Sequence, residues 1–493
     1  LGLVRSRAPA LTDRLRAVKQ QIALRGARRS AMEGDPRRTN DLLQNAIIDA
    51  RRRLGAAAPA DLDLLEECER LDPRRRRVLH VVGGLGAGGA ERQLVATVAG
   101  LREQGFTGSA ILVTDDPGDP RGAYRARLDR AGIAPTIAGQ RLDRAFSSRL
   151  AIAPQLRQAA KAIPALLRPR CSDLFGEFVA RRPHLVHCWL DHTNIWGGVA
   201  AVLAGVPAVV LSARSVAPTN FPLLHEPWLA PWYSALLERP GVLLANNSHA
   251  GAADYARWLS IDRHRITVIL NGVDLSPLAE VSAQEVQEFR RSIDAGGRDD
   301  DDQVLTGILR LGEEKRPEVF IRVAQHLVQR FERLQVALVG GGPMERQIRS
   351  MIASGPAPQR IHLLGRRQDV PVILAASSLL MLTSRMEGTP NVLLEAQHFG
   401  CPVVTTAAGG AVDAVLDGVT GLVRPVDDVE GLTAACSALL ADHERRRRMS
   451  EAGRRFVAER FGQARMLEET LALHARAIAE AIAAARHEGP GPQ

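Results

Sequence analysis

One stretch, Ser384 to Thr406 (SRMEGTPNVLLEAQHFGCPVVTT), limits what this chain can become. The apolar run Leu379-Leu380-Met381-Leu382 before it reads as a buried strand, Arg385 to Gly388 carries the chain off the strand's end, and a new strand begins at Val403. Between them Thr389 is placed to cap a helix and Pro390 to take its first position, where a missing N–H costs nothing. Gly400 ends that helix. Strand, loop, helix, strand in a parallel sheet puts the loop at the carboxyl edge, where ligands bind. The helix start, running through Thr389, Pro390 and Asn391, offers unpaired N–H groups and positive dipole to an anion.

Two carboxylates frame that helix start, Glu387 in the loop and Glu395 inside the helix. At about 1.5 Å rise per residue, Glu395 lies about 7–8 Å along the axis, out of reach of an anion at the tip but within reach of hydroxyls further along the same ligand. A nucleotide-sugar has that layout, with a diphosphate between ribose and sugar hydroxyls. Two glutamates on an amphipathic helix are ordinarily a solvated face. The strand-Glu-Gly-Thr-Pro-helix context sets these two apart.

A chain of 493 residues suffices for two or three domains, and with only 4% aromatic residues its cores are aliphatic, which suits parallel α/β sheets. Cys68, Cys171, Cys188, Cys401 and Cys436 are odd in number and scattered, with no C-x-x-C, so they are expected to be reduced core thiols of a cytoplasmic protein with no metal site. No apolar run reaches the roughly 18 residues of a membrane span, and no charged-then-apolar leader pattern follows Leu1. The formal charge of +9 is concentrated in residues 1–77, which hold 18 basic and 11 acidic side chains. A basic arm on a near-neutral body suits an anionic neighbour, phospholipid headgroups or nucleic acid, and equally a solvated helical face; of the partners an anionic membrane surface is preferred and no nucleic acid is expected. Only Lys19, Lys161 and Lys315 are lysines. Where Arg is so favoured, a Lys marks a place for a compact ammonium.

Residues 1–77 read as a basic helical extension, helical around Leu11–Leu24 and Thr39–Leu54, with Arg74 to Arg77 a solvated boundary. Residues 78–275 repeat strand-helix units. Val78–Val82 leads into Gly84, Gly86 and Gly89, which satisfy G-x-G-x-x-G, and Asp115 and Asp116 follow the strand Ala110–Thr114. That is the pattern of a dinucleotide site, while the absence of Gly-Lys-Ser/Thr excludes a P-loop. Leu185–Trp189 is a strand, after which a helix is expected from Trp196 to Ala204, leaving His187, Asp191 and His192 at or beyond the strand end. A lone His is more often structural than functional. Strands at Ala208–Leu211, Gly241–Asn246 and Ile266–Leu270 complete this domain.

After a helix at Ala283–Ile293, the run Asp299 to Asp302 lacks alternating ligand spacing and reads as a hydrated linker. Residues 276–465 form a second domain of the same class, and the helix 466–487 is expected to cross back to the first. In the second domain Arg310 and Lys315 supply positive charge, Gly340, Gly341, Gly342, Gly409 and Gly410 allow close backbone approach, and the helix at Pro390 supplies N–H donors. Together they suit a diphosphate gaining charge as its bond breaks.

These residues resemble the retaining nucleotide-sugar glycosyltransferases of family 4, over about residues 78–485. The most specific match is E-x7-E, Glu387 through Glu395, followed by Gly421-Leu422-Val423; Arg310 with Lys315, Gly340–Pro343 and Gly88-Gly89-Ala90-Glu91-Arg92-Gln93 match further family elements. The resemblance implies a GT-B fold, two doubly wound Rossmann-like α/β domains facing across a cleft. It implies that Arg310 and Lys315 contact the donor diphosphate, Glu395 the ribose, and Glu387 the donor sugar. Gly88 and Gly89 would line the donor–acceptor cleft, and the Gly365–Arg367 region, with Arg366, would meet the base. Gly388, Thr389, Pro390 and Asn391 complete the donor set. The family's His-x-His is here His187-Cys188-Trp189, so its second His is missing and His192 is the acceptor-side candidate. Catalysis would fall to Glu387, Arg310, Lys315 and His192.

The expected activity is therefore retaining transfer of a hexosyl or N-acetylhexosaminyl group from a UDP-sugar, in preference to a GDP-sugar. The acceptor is a glycan or lipid-linked sugar of the cell envelope, reached from the cytoplasm or the inner membrane face, with no metal or other cofactor. Two rivals come from other classes: an NAD-dependent oxidoreductase or nucleotide-sugar epimerase using Gly84–Gly89, and a non-catalytic module of a membrane assembly.

Overall fold

The computed structural model describes residues 36–55, 62–115, 122–139, 158, 161–221, 225–274, 281–293 and 303–488. The expected helix at Leu11–Leu24, Asp116 and the run Asp299 to Asp302 lie outside them. The chain forms two compact α/β units. One takes in Leu1–Asn246, Ala252–Ile269 and Leu467–Gln493, the other Asn247–Gly251 and Leu270–Met466.

The first unit is built on a parallel sheet of β1 (Val78–Val82), β2 (Ser109–Val113), β3 (Thr136–Ile137), β4 (Leu185–Trp189), β5 (Ala208–Ala213), β6 (Val242–Asn246) and β7 (Ile266–Val268). Their order is β3-β2-β1-β4-β5-β6-β7. β1 and β4 are buried at every position, as a sheet covered on both faces requires. Phe175, Phe178, Tyr233 and Tyr255 pack over one face with Val81, Val186 and Val209. The order reverses between β1 and β4, so the loops after these two strands leave side by side at the carboxyl edge.

The described part of residues 1–77 belongs to this unit and is packed. Ala50 and Leu54, from the helix Pro36–Leu54, are in its core. Leu64, Leu65 and Cys68, from the helix Leu62–Arg70, are buried. The expected solvated boundary holds for Arg74 and Arg75, which are exposed, while the other two arginines form a tie: Arg77 holds Glu67 through two nitrogens at 2.7 and 3.0 Å, and Arg76 donates to the Cys68 carbonyl at 3.0 Å. The same unit includes the last helix, Gln463–Glu488, from Leu467 onward.

The helix after β4 starts at Asp191, earlier than its sequence suggests. Leu190 turns the chain with φ +76, and the half-buried Asp191 accepts from the hydroxyls of Tyr233 and Tyr255 at 2.7 and 2.5 Å. Those partners lie far along the chain, so local pattern reads Asp-His-Thr-Asn as loop.

The second unit is built on β8 (Gln303–Ile308), β9 (Leu334–Val339), β10 (Ile361–Gly365), β11 (Leu379–Leu382), β12 (Val403–Thr406) and β13 (Gly421–Arg424). The order is β10-β9-β8-β11-β12-β13, again parallel, and it reverses between β8 and β11. The two parallel-sheet units are those of the expected GT-B class. All five cysteines are buried thiols. Among the described residues no helix is long and apolar enough to cross a membrane.

Candidate active site

The reversal of strand order decides which loops meet in the second unit. β8 and β11 are hydrogen-bonded neighbours, so the loop carrying Arg310 and Lys315 emerges beside the loop carrying Glu387. Thr383, the first residue past β11, donates from Oγ1 to the carbonyls of Lys315 at 3.1 Å and Arg316 at 3.0 Å. The Arg385 amide donates to the Glu314 carbonyl at 2.8 Å.

Lys315 and Glu387 are brought together. Lys315 Nζ donates to Glu387 Oε1 at 2.5 Å, and Ser384 Oγ donates to the same oxygen at 2.6 Å. Glu387 is 8% exposed. The lysine side chain keeps 24% of its surface open. Arg310 stands apart from this pair. It is 65% exposed and bound to Glu314 Oε1 at 2.8 Å, so an incoming anion would compete with a carboxylate for it.

The helix after the loop runs Asn391–His398, and the expected cap is corrected: Pro390 is the N-cap residue and Asn391 the first helical one. The Thr389 hydroxyl is directed away from the helix, to the Asn247 carbonyl. Asn271 holds the helix start instead, its Nδ2 donating to Thr389 O and Asn391 Oδ1, both at 2.8 Å. Glu395 is half-buried on the fifth residue of the helix. Gly400, with φ +76, closes the helix, its amide donating to Gln397 O and that of Cys401 to Ala396 O.

The glycines divide into two kinds. Gly340, with φ +137, presses on the Leu309 carbonyl, and Gly342 presses on the Leu311 carbonyl at the 2.5 Å a side-chain carbon would reach. Gly410 lies against the Gly388 carbonyl and donates its amide to Glu387 O at 3.1 Å, while Gly409 makes the turn with φ +53. Their need for glycine is already set by the protein's own backbone, whether or not a ligand approaches them. Gly341 differs: a side chain there would come no nearer than 3.6 Å to anything, its neighbour being Arg366. Arg367 is bound to Asp369 at 2.6 Å.

In the first unit, Gly88 and Gly89 begin the helix Gly89–Glu103 at the end of β1, and the Gly88 carbonyl accepts from Tyr124 Oη at 2.9 Å. His192, at the start of the helix after β4, is half-buried between the rings of Trp196 and Trp228, at 5.5 and 5.6 Å. His187 is interior to β4. Its ring bonds His474 and Ser212, both at 3.0 Å, and burial together with the neighbouring histidines keeps it neutral, which makes it a core residue. Asp115, the acid of the dinucleotide pattern, is held by Arg170 at 2.8 Å. Among the described residues no group of three or more His, Cys, Asp or Glu is arranged to hold a metal ion.

Sequence reasoning missed Ser384 and Asn271 as supports of the site. Ser384 opens the stretch singled out above and Asn271 directly follows the strand Ile266–Leu270, but a serine before Glu387 and an Asn-Gly turn are too common for their partners to be named without the fold.

Residues 288–456 match the family described as glycosyl transferases group 1, and residues 87–277 match glycosyltransferase family 4. A curated relative, the Vi polysaccharide biosynthesis protein VipC/TviE of Salmonella typhi, is 27% identical over 73% of this chain and 64% of its own length. The UDP-Gal:alpha-D-GlcNAc-diphosphoundecaprenol alpha-1,3-galactosyltransferase of Escherichia coli is 26% identical over 51% of this chain and 65% of its own. The chain thus spans less than two thirds of each. The solved structure of Anabaena Alr3699/HepE, in complex with UDP and glucose, superposes with TM-score 0.64 at 19% identity, covering 81% of this chain and 99% of that one, a likeness of fold.

Proposed function

Because the chain belongs to the glycosyltransferases of family 4 type, with a GT-B fold, we propose that it moves a sugar from a UDP-sugar to a glycan or lipid-linked acceptor, with retention and without a metal. The observation that carries this reading is the Lys315–Glu387 pair at 2.5 Å, at the strand-order reversal and just before the helix Asn391–His398. A buried carboxylate with an ammonium on Oε1 presents its other oxygen to a sugar hydroxyl, and the ammonium faces the place where a diphosphate would gain charge. The N-terminal amides of that helix and Arg310, released from Glu314, would share the charge. Glu395, one turn inside the helix, would take the ribose hydroxyls, and Gly341 leaves room for the nucleotide beside Arg366.

The step is a displacement on one face of the sugar. The bond between the anomeric carbon and the leaving phosphate oxygen breaks, the acceptor oxygen bonds to the same face of that carbon, and the acceptor proton passes to the departing phosphate oxygen. No side-chain nucleophile is needed, and Lys315 with Arg310 lowers the barrier by holding the leaving group. His192 is the group offered to the acceptor. UDP in preference to GDP is supported by the UDP bound in the Anabaena structure and by the UDP-Gal named for the Escherichia coli relative. That relative's diphosphoundecaprenol acceptor and the basic excess of residues 1–77 support a lipid-linked acceptor at an anionic membrane face.

The test is release of nucleoside diphosphate from UDP-glucose, UDP-galactose, UDP-N-acetylglucosamine and GDP-mannose, with and without EDTA. Turnover of a UDP-sugar that survives EDTA and is lost in Lys315→Ala is expected, with the product's anomeric configuration read by NMR. If no donor is turned over and no nucleotide raises the melting temperature, the reading fails.

A further inference from the structure

Six non-glycine residues among those described have positive φ, and two of them are bound to each other. Arg316 (φ +51) and Asp427 (φ +65) meet through Arg316 Nε and Asp427 Oδ1 at 2.6 Å. The second oxygen of Asp427 accepts from Arg385 Nη2 at 3.0 Å. Arg316 follows Lys315 in the chain, and Arg385 stands two residues before Glu387. One carboxylate, on the loop after β13, therefore ties together the loops that carry both members of the Lys315–Glu387 pair.

Stability does not account for this arrangement. A left-handed conformation is strained at each of the two positions. The ion pairs offset little of it, since the side chains of Arg316, Arg385 and Asp427 are 26%, 49% and 37% exposed and water screens pairs that open. Arg316 also has a second carboxylate to hand, Glu318 at 2.6 Å. Strain kept at little thermodynamic return, and located on residues adjoining the candidate catalytic pair, has its simplest cause in geometry: the clamp sets where Lys315 lies relative to Glu387.

We propose that Asp427 is a positioning residue that holds Lys315 on Glu387 through Arg316 and Arg385, an inference that rests on the nucleotide-sugar reading of that pair. Asp427→Gly separates clamp from strain, because glycine adopts the backbone conformation at no cost while the carboxylate is lost. Because the chain has only three lysines, mass spectrometry after brief acetylation reports Lys315 against Lys19 and Lys161 in the same molecule. In Asp427→Gly the melting temperature should be equal to or above wild type. Lys315 acetylation should rise several-fold relative to the other two lysines. UDP release from UDP-glucose, or from whichever donor the wild type turns over, should fall about tenfold in kcat with little change in KM, as a displaced catalytic group would cause. Asp427→Asn, which keeps an acceptor oxygen and tolerates the left-handed backbone, should recover part of both losses.

Unchanged acetylation and kcat in Asp427→Gly would overturn the clamp. Increased acetylation together with a wild-type protein that turns over no nucleotide-sugar would leave the clamp standing and remove the function.

Discussion

Lys315 donates to the same carboxylate oxygen of Glu387 that accepts from Ser384, at 2.5 and 2.6 Å. Removing the ammonium leaves a nearly buried carboxylate with one neutral donor, so Lys315→Met should cost about 1–3 kcal/mol of stability. Glu387→Gln keeps an acceptor for Ser384 and should cost less. Because the two groups compensate each other, the double variant should lose at least about 1 kcal/mol less than the sum of the singles. Urea unfolding measures the cycle, and additive losses would mean that the pair is not coupled. Each single variant should also lower kcat/KM for the donor by about 100-fold.

Arg310 should behave differently. It is 65% exposed and its pair with Glu314 contributes about 0.3–0.5 kcal/mol at most. Arg310→Ala should leave the melting temperature within a degree or two of wild type, while KM for the donor rises several-fold. A large loss of stability with unaltered KM would make Arg310 a structural residue.

The two kinds of glycine predict opposite phenotypes. Gly340→Ala and Gly410→Ala force a carbon onto the carbonyls of Leu309 and Gly388, and each should destabilise by about 2 kcal/mol or more. Gly341→Ala meets nothing nearer than 3.6 Å, so its fold should be unaffected while the thermal shift produced by UDP shrinks. Equal destabilisation by all three would remove the argument that Gly341 leaves room for a nucleotide.

The elements were legible where the signal was local. Leu185–Trp189, Leu379–Leu382 and Ala283–Ile293 are found at the bounds their patterns suggest, because an apolar run between turn residues, or a helical period, needs only its own neighbours. The loop pairing of Lys315 with Glu387 was half legible: the motif marked both residues, but their contact follows from β8 adjoining β11. What could not be read were choices made by distant partners. Thr389 turns to Asn247 instead of capping its helix, Asp191 starts a helix early because Tyr233 and Tyr255 reach it, and Gly340 answers to Leu309. In each case a hydrogen bond or a steric contact across the fold overrides a local preference of comparable size.

Acid should destabilise the first unit in a defined window. Burial lowers the pKa of His184 and His474 to about 4, and pushes His80 and His187 well below the ordinary histidine range, with neighbouring histidines adding to the effect. The unfolded chain takes up these protons near pH 6.5, whereas in the folded one His184 and His474 do not until about pH 4. Stability from these neutral rings is therefore whole above pH 6.5 and is lost as pH falls toward 4, by up to about 3 kcal/mol for a fully buried ring such as His474. Asp191, Glu91 and Asp173, whose pKa values are raised by burial, titrate in the opposite sense, three carboxyls against four rings. Glu67 acts in a lower window: its bonds to Arg77 depress its pKa to about 2, so its contribution is present above the usual carboxylate range and fades only toward that value. All five tryptophans (Trp189, Trp196, Trp228, Trp232 and Trp258) belong to this unit, so their fluorescence in urea reports it alone. The midpoint should fall steadily from pH 7 to pH 4.5, and less steeply in His474→Gln. A midpoint that is level across that interval would mean that these rings are not held neutral.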